Sequence, residues 1–396
     1  MATTSEKRRA YAGPEILSYG FRPLFFLAGL WAAIAMIVWI ASLSGLVTVP
    51  TAFAMADWHV HELLFGYLPA VAAGFLLTAV PNWTGRLPVI GTPLLILALI
   101  WLAGRIAILS SLAIGIVPAA IFDLMFLAVL SLVIGREIVG GRNWRNLKVL
   151  VLIALLFCAN LIFHVESATS GSASGGYGAH LGIALAVTLI IVIGGRVIPS
   201  FTRNWLARRG TGRLPAPYDH FDTFASVAAI IALLSWVFLP EHLATAILCL
   251  IAGALHLARL LRWAGERTLA EPLVWILHLA YAFVPLGFFL VSAFAFQPHV
   301  LPQSAALHAW TAGAIGLMTL AVMTRASLGH SGKALHATMG ITAIYVCVFI
   351  AVISRILSGI GIAPLLLLDI AGAAWIAGYA LFTIIFAPLY WRKRTS

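Results

Sequence analysis

Apolar stretches long enough to cross a bilayer follow one another almost without interruption through this 396-residue chain, separated only by short polar breaks. A transmembrane helix needs about 20 mostly apolar residues, and in lipid every backbone polar group must be satisfied within its own segment. Such a chain is confined to helices in a membrane. Composition agrees, with 62% hydrophobic and 9% charged residues, against roughly 25% charged in soluble globular domains. The spans predicted are 21–45, 58–80, 91–110, 115–136, 147–166, 178–198, 221–239, 242–263, 271–294, 303–325, 335–356 and 365–390. The fold class is therefore all-α, a polytopic membrane protein of about twelve transmembrane helices. It is read as one transmembrane domain over 1–396: a polar segment 1–20, a helical bundle 21–390 and a basic tail 391–396. The apolar run from Phe21 is too long for a signal-peptide core and lacks a small-residue cleavage site, so it is expected to be retained.

A net charge of +11 would suggest nucleic acid if the basic residues formed a patch on a soluble domain. They sort by loop instead. Of the 24 Lys and Arg, all but Arg105 and Arg355 fall on one side of the predicted topology, which the positive-inside rule assigns, with both termini, to the cytoplasm. No nucleic-acid partner is expected; the bilayer is the partner. Arg105 and Arg355 lie near the outer ends of the third and eleventh spans. A cation at that depth calls for an anionic partner or snorkels to the interface.

The three cysteines, Cys158, Cys249 and Cys347, each fall inside a span and offer neither a disulfide framework nor a CxxC motif. The histidines carry more information. His59 and His61 open the second span, His164 lies near the outer end of the fifth, His180 opens the sixth and His308 lies early in the tenth. Five imidazoles from four helices thus share one depth, an arrangement suited to metal ligation. Residues two apart on a helix point about 200° apart, so His59 and His61 are expected to serve opposite sides of their helix. Axial ligation of haem and imidazole ligation of copper both fit; zinc is the alternative. His278, with Tyr281 one turn away, is a separate candidate for a second centre, a proton relay or a core hydrogen bond. His242 and His299 lie near outer loops, and His330 and His336 in an inner loop where solvated histidines are ordinary.

Asp57, Glu62, Asp123, Glu166 and Asp369 map to outer portions, whereas Asp219, Asp222, Glu266 and Glu271 map to the inner surface. The absence of a mid-depth carboxylate disfavours a proton-coupled transporter. Glu62, beside His61, is a candidate to orient that ligand or pass a proton. Arg105 and Arg355 are candidates to hold haem propionates, by bidentate pairing of guanidinium with carboxylate. Residues 168–178 read as a flexible linker. A weaker pattern runs through the second, sixth and tenth spans: each has a histidine in its outer part (His61, His180, His308) and an arginine at its inner end (Arg86, Arg196, Arg325), as a four-helix unit used three times would give.

WHVHELLFGYLPAVAAGFLLTAVPNWTGR (58–86), GGRVIPSFTRN (194–204) and HAWTAGAIGLMTLAVMTRASLGHSG (308–332) resemble the signatures of the NnrS family of bacterial membrane proteins; FRPLFF (21–26) and WLAGR (101–105) resemble it too. The resemblance implies a twelve-helix inner-membrane protein with haem, expected to be b-type, and copper, associated with denitrification and resistance to nitric oxide. It implies ligand roles for His59, His61, His164, His180, His278 and His308, with His330 and the arginines Arg105, Arg196, Arg325 and Arg355 among the motif positions. Leu63 departs from the methionine often found there. Haem-copper oxidases, with their twelve-helix quasi-threefold cores, are a fold-level analogy only. The leading expectation is a haem and copper protein that binds or reduces nitric oxide, an oxidoreductase if it turns the gas over. The alternative is a haem or copper carrier or sensor without gas chemistry. No CxxCH motif or quinone signature identifies an electron donor.

Overall fold

The computed structural model describes residues 11–84, 88–298 and 302–393, with the side chains of 82–84 excluded. His299, Arg86, Lys7, Arg8, Arg9 and Arg394 lie outside the described residues. Among the described residues twelve helices are long and apolar enough to span a membrane: α1 Phe21–Leu43, α2 Met55–Pro81, α3 Thr92–Leu109, α4 Ile116–Gly140, α5 Trp144–Ser170, α6 Tyr177–Leu206, α7 His220–Phe238, α8 Leu243–Leu261, α9 Pro272–Phe296, α10 Gln303–His330, α11 Met339–Gly359 and α12 Pro364–Trp391. The protein is thus an all-helical, multi-pass membrane protein.

The helix ends follow local chemistry. Asp219 caps α7 in a reciprocal box with Asp222, the His242 ring accepts from the Ala244 N–H at the start of α8, and Thr338 caps α11. Pro272 occupies the first turn of α9, where its missing N–H costs nothing. α6 and α10 run beyond the expected ends at 198 and 325. Past Pro199, α6 continues as an amphipathic helix with Ile198, Thr202 and Leu206 on one buried face. His330, expected in a solvated loop, is instead the last residue of α10 and packs its ring against Tyr19 and Phe21, at 5.4 and 5.7 Å.

The chain divides into two compact units. One comprises Met1–Gly182, Ala326–Lys333 and Tyr379–Ser396; the other comprises Ile183–Arg325 and Ala334–Gly378. In the first, Arg22 pairs with Glu15 at 2.9 Å and donates to the Tyr390 and Arg392 carbonyls, which ties the start of α1 to the end of α12. The Tyr67 and Tyr379 hydroxyls meet at 2.8 Å. In the second, Glu271 was expected at the inner surface but is 2% exposed. Its carboxylate accepts from the Leu273 and Ala337 N–H groups and pairs with His336 at 2.8 Å, so it holds the start of α9 to the segment before α11. Asp222, also expected at the surface, is buried against Arg259.

Among the described residues three helices contain a π-helical segment: Glu62–Tyr67 in α2, Ile190–Gly194 in α6 and Ala309–Leu317 in α10. These are the helices that share the histidine and arginine pattern. They are also the most buried, at 78, 72 and 78% of their central windows, where the others range from 28 to 67%. The coincidence supports a unit used three times. A π turn disturbs the i to i−4 ladder and leaves carbonyls to be satisfied from outside. Trp101 Nε1 donates to the Gly66 carbonyl at 2.9 Å, and Arg259 donates to the Ile191 carbonyl at 3.2 Å.

Outside the membrane, the Arg262 guanidinium bonded to Asp219 holds that carboxyl down at about 2, below its usual 3.8. A depressed carboxylate stabilises the fold fully above its unfolded value, and the gain is lost as pH falls through the folded one. A carboxyl carbon NMR titration is expected to show Asp219 ionised well below pH 3.8; a midpoint at the ordinary value would mean that the Arg262 contact does not form in solution.

Candidate metal centre

His61 ends the first α-helical stretch of α2, and the π segment begins at the next residue, Glu62. Opposite stand Asn160 and His164, four residues apart and hence on one face of α5. Asp123 comes from α4, whose backbone approaches α3 closely at Gly104: a Cβ there would lie 3.1 Å from the Asp123 Cα. Arg105, the next residue, thereby reaches Asp123.

Within the first unit these side chains form one buried cluster. Asp123 Oδ2 lies 3.1 Å from His61 Nε2, 3.0 Å from His164 Nε2 and 2.7 Å from Asn160 Nδ2. His61 Nδ1 lies 3.0 Å from Glu62 Oε1, which also accepts from Arg105 at 2.7 Å; the other arm of Arg105 pairs with Asp123 Oδ1. Glu62, His61, Asp123 and Arg105 are at most 2% exposed. Phe53, Phe65 and Phe163 surround the His61 ring at 5.1 to 5.7 Å and keep water away.

The arrangement constrains charge. Both ring nitrogens of His61 face carboxylate oxygens, which only accept hydrogen bonds when ionised. A neutral imidazole has a single N–H and satisfies one of the two. Arg105 offsets one of the two carboxylate charges, so the cluster requires one further cation. A metal ion at Nε2 meets this need, and so does a further proton on an imidazole or on one of the carboxylates. One ligand atom each from His61, Asp123 and His164 lies within 4.8 Å of the others, which suits a single ion. Two imidazoles with a carboxylate fit several first-row metals. His164 Nδ1, Glu62 Oε2 and Arg105 Nε have no hydrogen-bond partner among the described residues, so the polar network is incomplete as it stands.

A family model described as NnrS protein matches residues 15–394. The chain belongs to the NnrS family. A search of curated proteins returned no match. The buried His61, Asp123 and His164 group gives this NnrS-family protein a place for a metal ion.

The remaining histidines divide. His59 turns away from His61 and stacks on Trp39 of α1 at 4.5 Å, as their 200° separation requires. His180, at the start of α6, is buried in the same unit. In the second unit, His308 Nδ1 lies 2.6 Å from the Ser304 carbonyl. A carbonyl only accepts, so Nδ1 carries the hydrogen and Nε2 the lone pair. His278 Nε2 lies 2.8 Å from the Thr202 hydroxyl, which donates to the Ile198 carbonyl. That leaves His278 Nδ1 unprotonated, buried and without a partner among the described residues.

Arg105 was singled out for an anionic partner and has two, both from the chain itself. Arg355 is half-buried in α11 with no charged partner among the described residues. Sequence reasoning placed Asp123 at the right depth without linking it to the histidines and passed over Asn160; its i−4 spacing from His164 was the available signal. The 168–178 segment is more than a linker. Asp57 accepts from the Ala173 and Ser174 N–H groups, and Glu166 from those of Tyr177 and Gly178, which pins the loop beside the start of α2.

Gly178 lets α6 lie directly on α5: a Cβ would sit 2.4 Å from the Phe163 backbone nitrogen, next to His164. Backbone cannot swing aside as a flexible side chain can. Gly178→Ala is expected to destabilise by about 1–3 kcal/mol and to weaken metal binding by displacing His164. Unchanged melting and metal content would show that α6 sits farther from α5.

Proposed function

We propose that this protein handles nitric oxide with a copper ion and a haem in the inner membrane, the copper held by His61, His164 and Asp123. The observation that carries the reading is His61 with a carboxylate at each ring nitrogen and a second imidazole alongside, sealed from water. The positive-inside rule puts both termini in the cytoplasm and this cluster in the outer half of the membrane. His308 would hold a b-type haem, its Nδ1–H on a backbone carbonyl making Nε2 the nitrogen that would ligate the iron. Arg355 is assigned to the propionates, since Arg105 already holds two carboxylates. When bound, iron and copper supply the positions where nitric oxide binds and receives electrons.

The chain's own groups do the rest. Asp123 fixes both imidazoles through one oxygen. Arg105 locks the Glu62 and Asp123 carboxylates in place. Glu62, bonded to His61 Nδ1, takes or gives a proton at that nitrogen as the charge at Nε2 changes. The phenylalanine collar admits a small, membrane-soluble gas and excludes water.

The test is metal analysis with an optical spectrum of detergent-purified protein, reduced and then exposed to nitric oxide. Stoichiometric iron and copper with a haem band that shifts on adding the gas are expected. Metal uptake should also release a proton as the ion replaces hydrogen on His61, which calorimetry in buffers of different ionisation enthalpy reads out. Substoichiometric, exchangeable haem that ignores the gas would favour a carrier or sensor; absence of both metals after loading would end the cofactor reading.

A further inference from the structure

A second buried polar cluster lies in the other unit, one turn along α9 from His278, whose ring meets Trp263 at 6.4 Å. Its centre is Tyr281 of α9, fully buried, with its hydroxyl 2.8 Å from His256 Nδ1 on α8. His256 Nε2 lies 3.1 Å from the Ala225 carbonyl. A carbonyl only accepts, so Nε2 carries the hydrogen and Nδ1 the lone pair. The Tyr281 hydroxyl therefore donates to His256. Its oxygen in turn accepts from Arg259 at 3.1 Å, and Arg259 pairs with Asp222 at 2.7 Å, which neutralises the guanidinium. The hydrogen-bond directions leave one arrangement: a phenol aimed at a ready proton acceptor, with its oxygen held by a donor.

The aromatic surroundings extend this pair in both directions. Trp263, two residues past the end of α8, meets Tyr281 at a centroid distance of 4.6 Å. On the other side Phe288 stacks on His256 at 6.0 Å and meets Trp310 at 5.0 Å; Trp310 meets Trp236 at 5.3 Å. Tyr281 and Phe288 are seven residues apart on α9, roughly 10 Å along its axis. The row thus runs from just past the end of α8, through Tyr281, His256 and Phe288, to Trp310 near the start of α10 and Trp236 near the end of α7. Gly287 makes room for it, since a Cβ there would lie 2.2 Å from the Trp310 indole.

We propose that Tyr281 is a one-electron relay within this unit, giving its proton to His256 as its electron leaves for an oxidised tryptophan of the row. The step balances. An external one-electron oxidant removes an electron from Trp263 or Trp310, leaving a tryptophan radical cation. Tyr281 returns an electron to that indole and its hydroxyl proton moves to His256 Nδ1. The products are a neutral tyrosyl radical, an imidazolium and restored tryptophan; a one-electron reductant and the return of the proton reset the pair. Asp222, opposite Arg259, keeps the transient imidazolium from facing an uncompensated cation. This role is independent of the copper and haem reading.

The test uses the full-length protein in detergent, without added metals, and a photogenerated ruthenium(III) polypyridine as oxidant, with freeze-trapped electron paramagnetic resonance. A neutral tyrosyl signal is expected, absent in Tyr281→Phe and formed on the order of a hundredfold more slowly in His256→Phe, where the positioned proton acceptor is gone. In deuterated buffer the wild-type radical should show an exchangeable hydrogen bond, a readout that stands even if Tyr281→Phe fails to fold. A signal that survives Tyr281→Phe, or a wild-type radical with no exchangeable hydrogen bond, overturns the proposal, as does the absence of any tyrosyl signal. Because no metal takes part, failure here leaves the copper and haem reading untouched, and the reverse holds too.

Discussion

Arg105→Met is expected to lower the stability of the protein by about 3–5 kcal/mol, because it leaves buried charge without its partner. Glu62 and Asp123 both lean on this guanidinium, at 0 and 1% side-chain exposure, with no water to replace it. Two carboxylates so close cannot both stay ionised in lipid, so the variant must protonate one or deform. Adding Glu62→Gln and Asp123→Asn removes the stranded charges and is expected to recover most of the loss. The comparison, by melting in detergent, separates charge pairing from the packing of a long side chain. If the single variant melts with the wild type, or the triple variant is no better than the single, the ion cluster is not what holds α2, α3 and α4 together.

His164→Ala should strip the metal from the His61 site while leaving the helices in place. Loss of a partner that merely supports a ligand costs roughly 10- to 100-fold in affinity, and removing a ligand costs more. Among the described residues His164 has Asp123 as its polar partner, and Asp123 keeps His61, Asn160 and Arg105 when His164 is truncated. Asp123→Asn is expected to lose the metal as well but to destabilise, since it also takes a charge from Arg105. His59→Ala should leave this metal bound, because His59 stacks on Trp39 on the far side of α2. Metal content per folded protein is the measurement. Equal copper in His164→Ala and wild type would exclude His164 as a ligand, and loss in His59→Ala would put both faces of α2 on one ion.

The twelve spans were legible because length and apolarity alone select membrane helices, and the charge bias orders their loops. The meeting of His61 with His164 was legible from shared depth, and the divergence of His59 from helix geometry. The Arg105, Asp123 and Asn160 contacts were not. They depend on the rotational phase of α3, α4 and α5, and helices apolar all round give no periodicity from which to read it. Asp222 and Glu271 were misplaced for a related reason. Both sit at helix starts, where a carboxylate normally faces water, yet each is buried by a partner distant in sequence, Arg259 and the Ala337 segment. The π segments were also hidden, since nothing in ELLFGY or IIVIG distinguishes them from ordinary apolar helix.

Those segments have a consequence for how the three most buried helices can change over time. A π turn accommodates one residue more than the α-helix it replaces. Each such helix is therefore two rods on one backbone, and deleting a single residue within the segment would turn the outer rod by about 100° against the inner one. A family of such proteins can re-aim a histidine at a neighbouring helix by a one-residue insertion or deletion, without disturbing the half that carries the arginine. Length differences among relatives at Glu62–Tyr67, Ile190–Gly194 or Ala309–Leu317 would then mark altered metal sites and not loop drift.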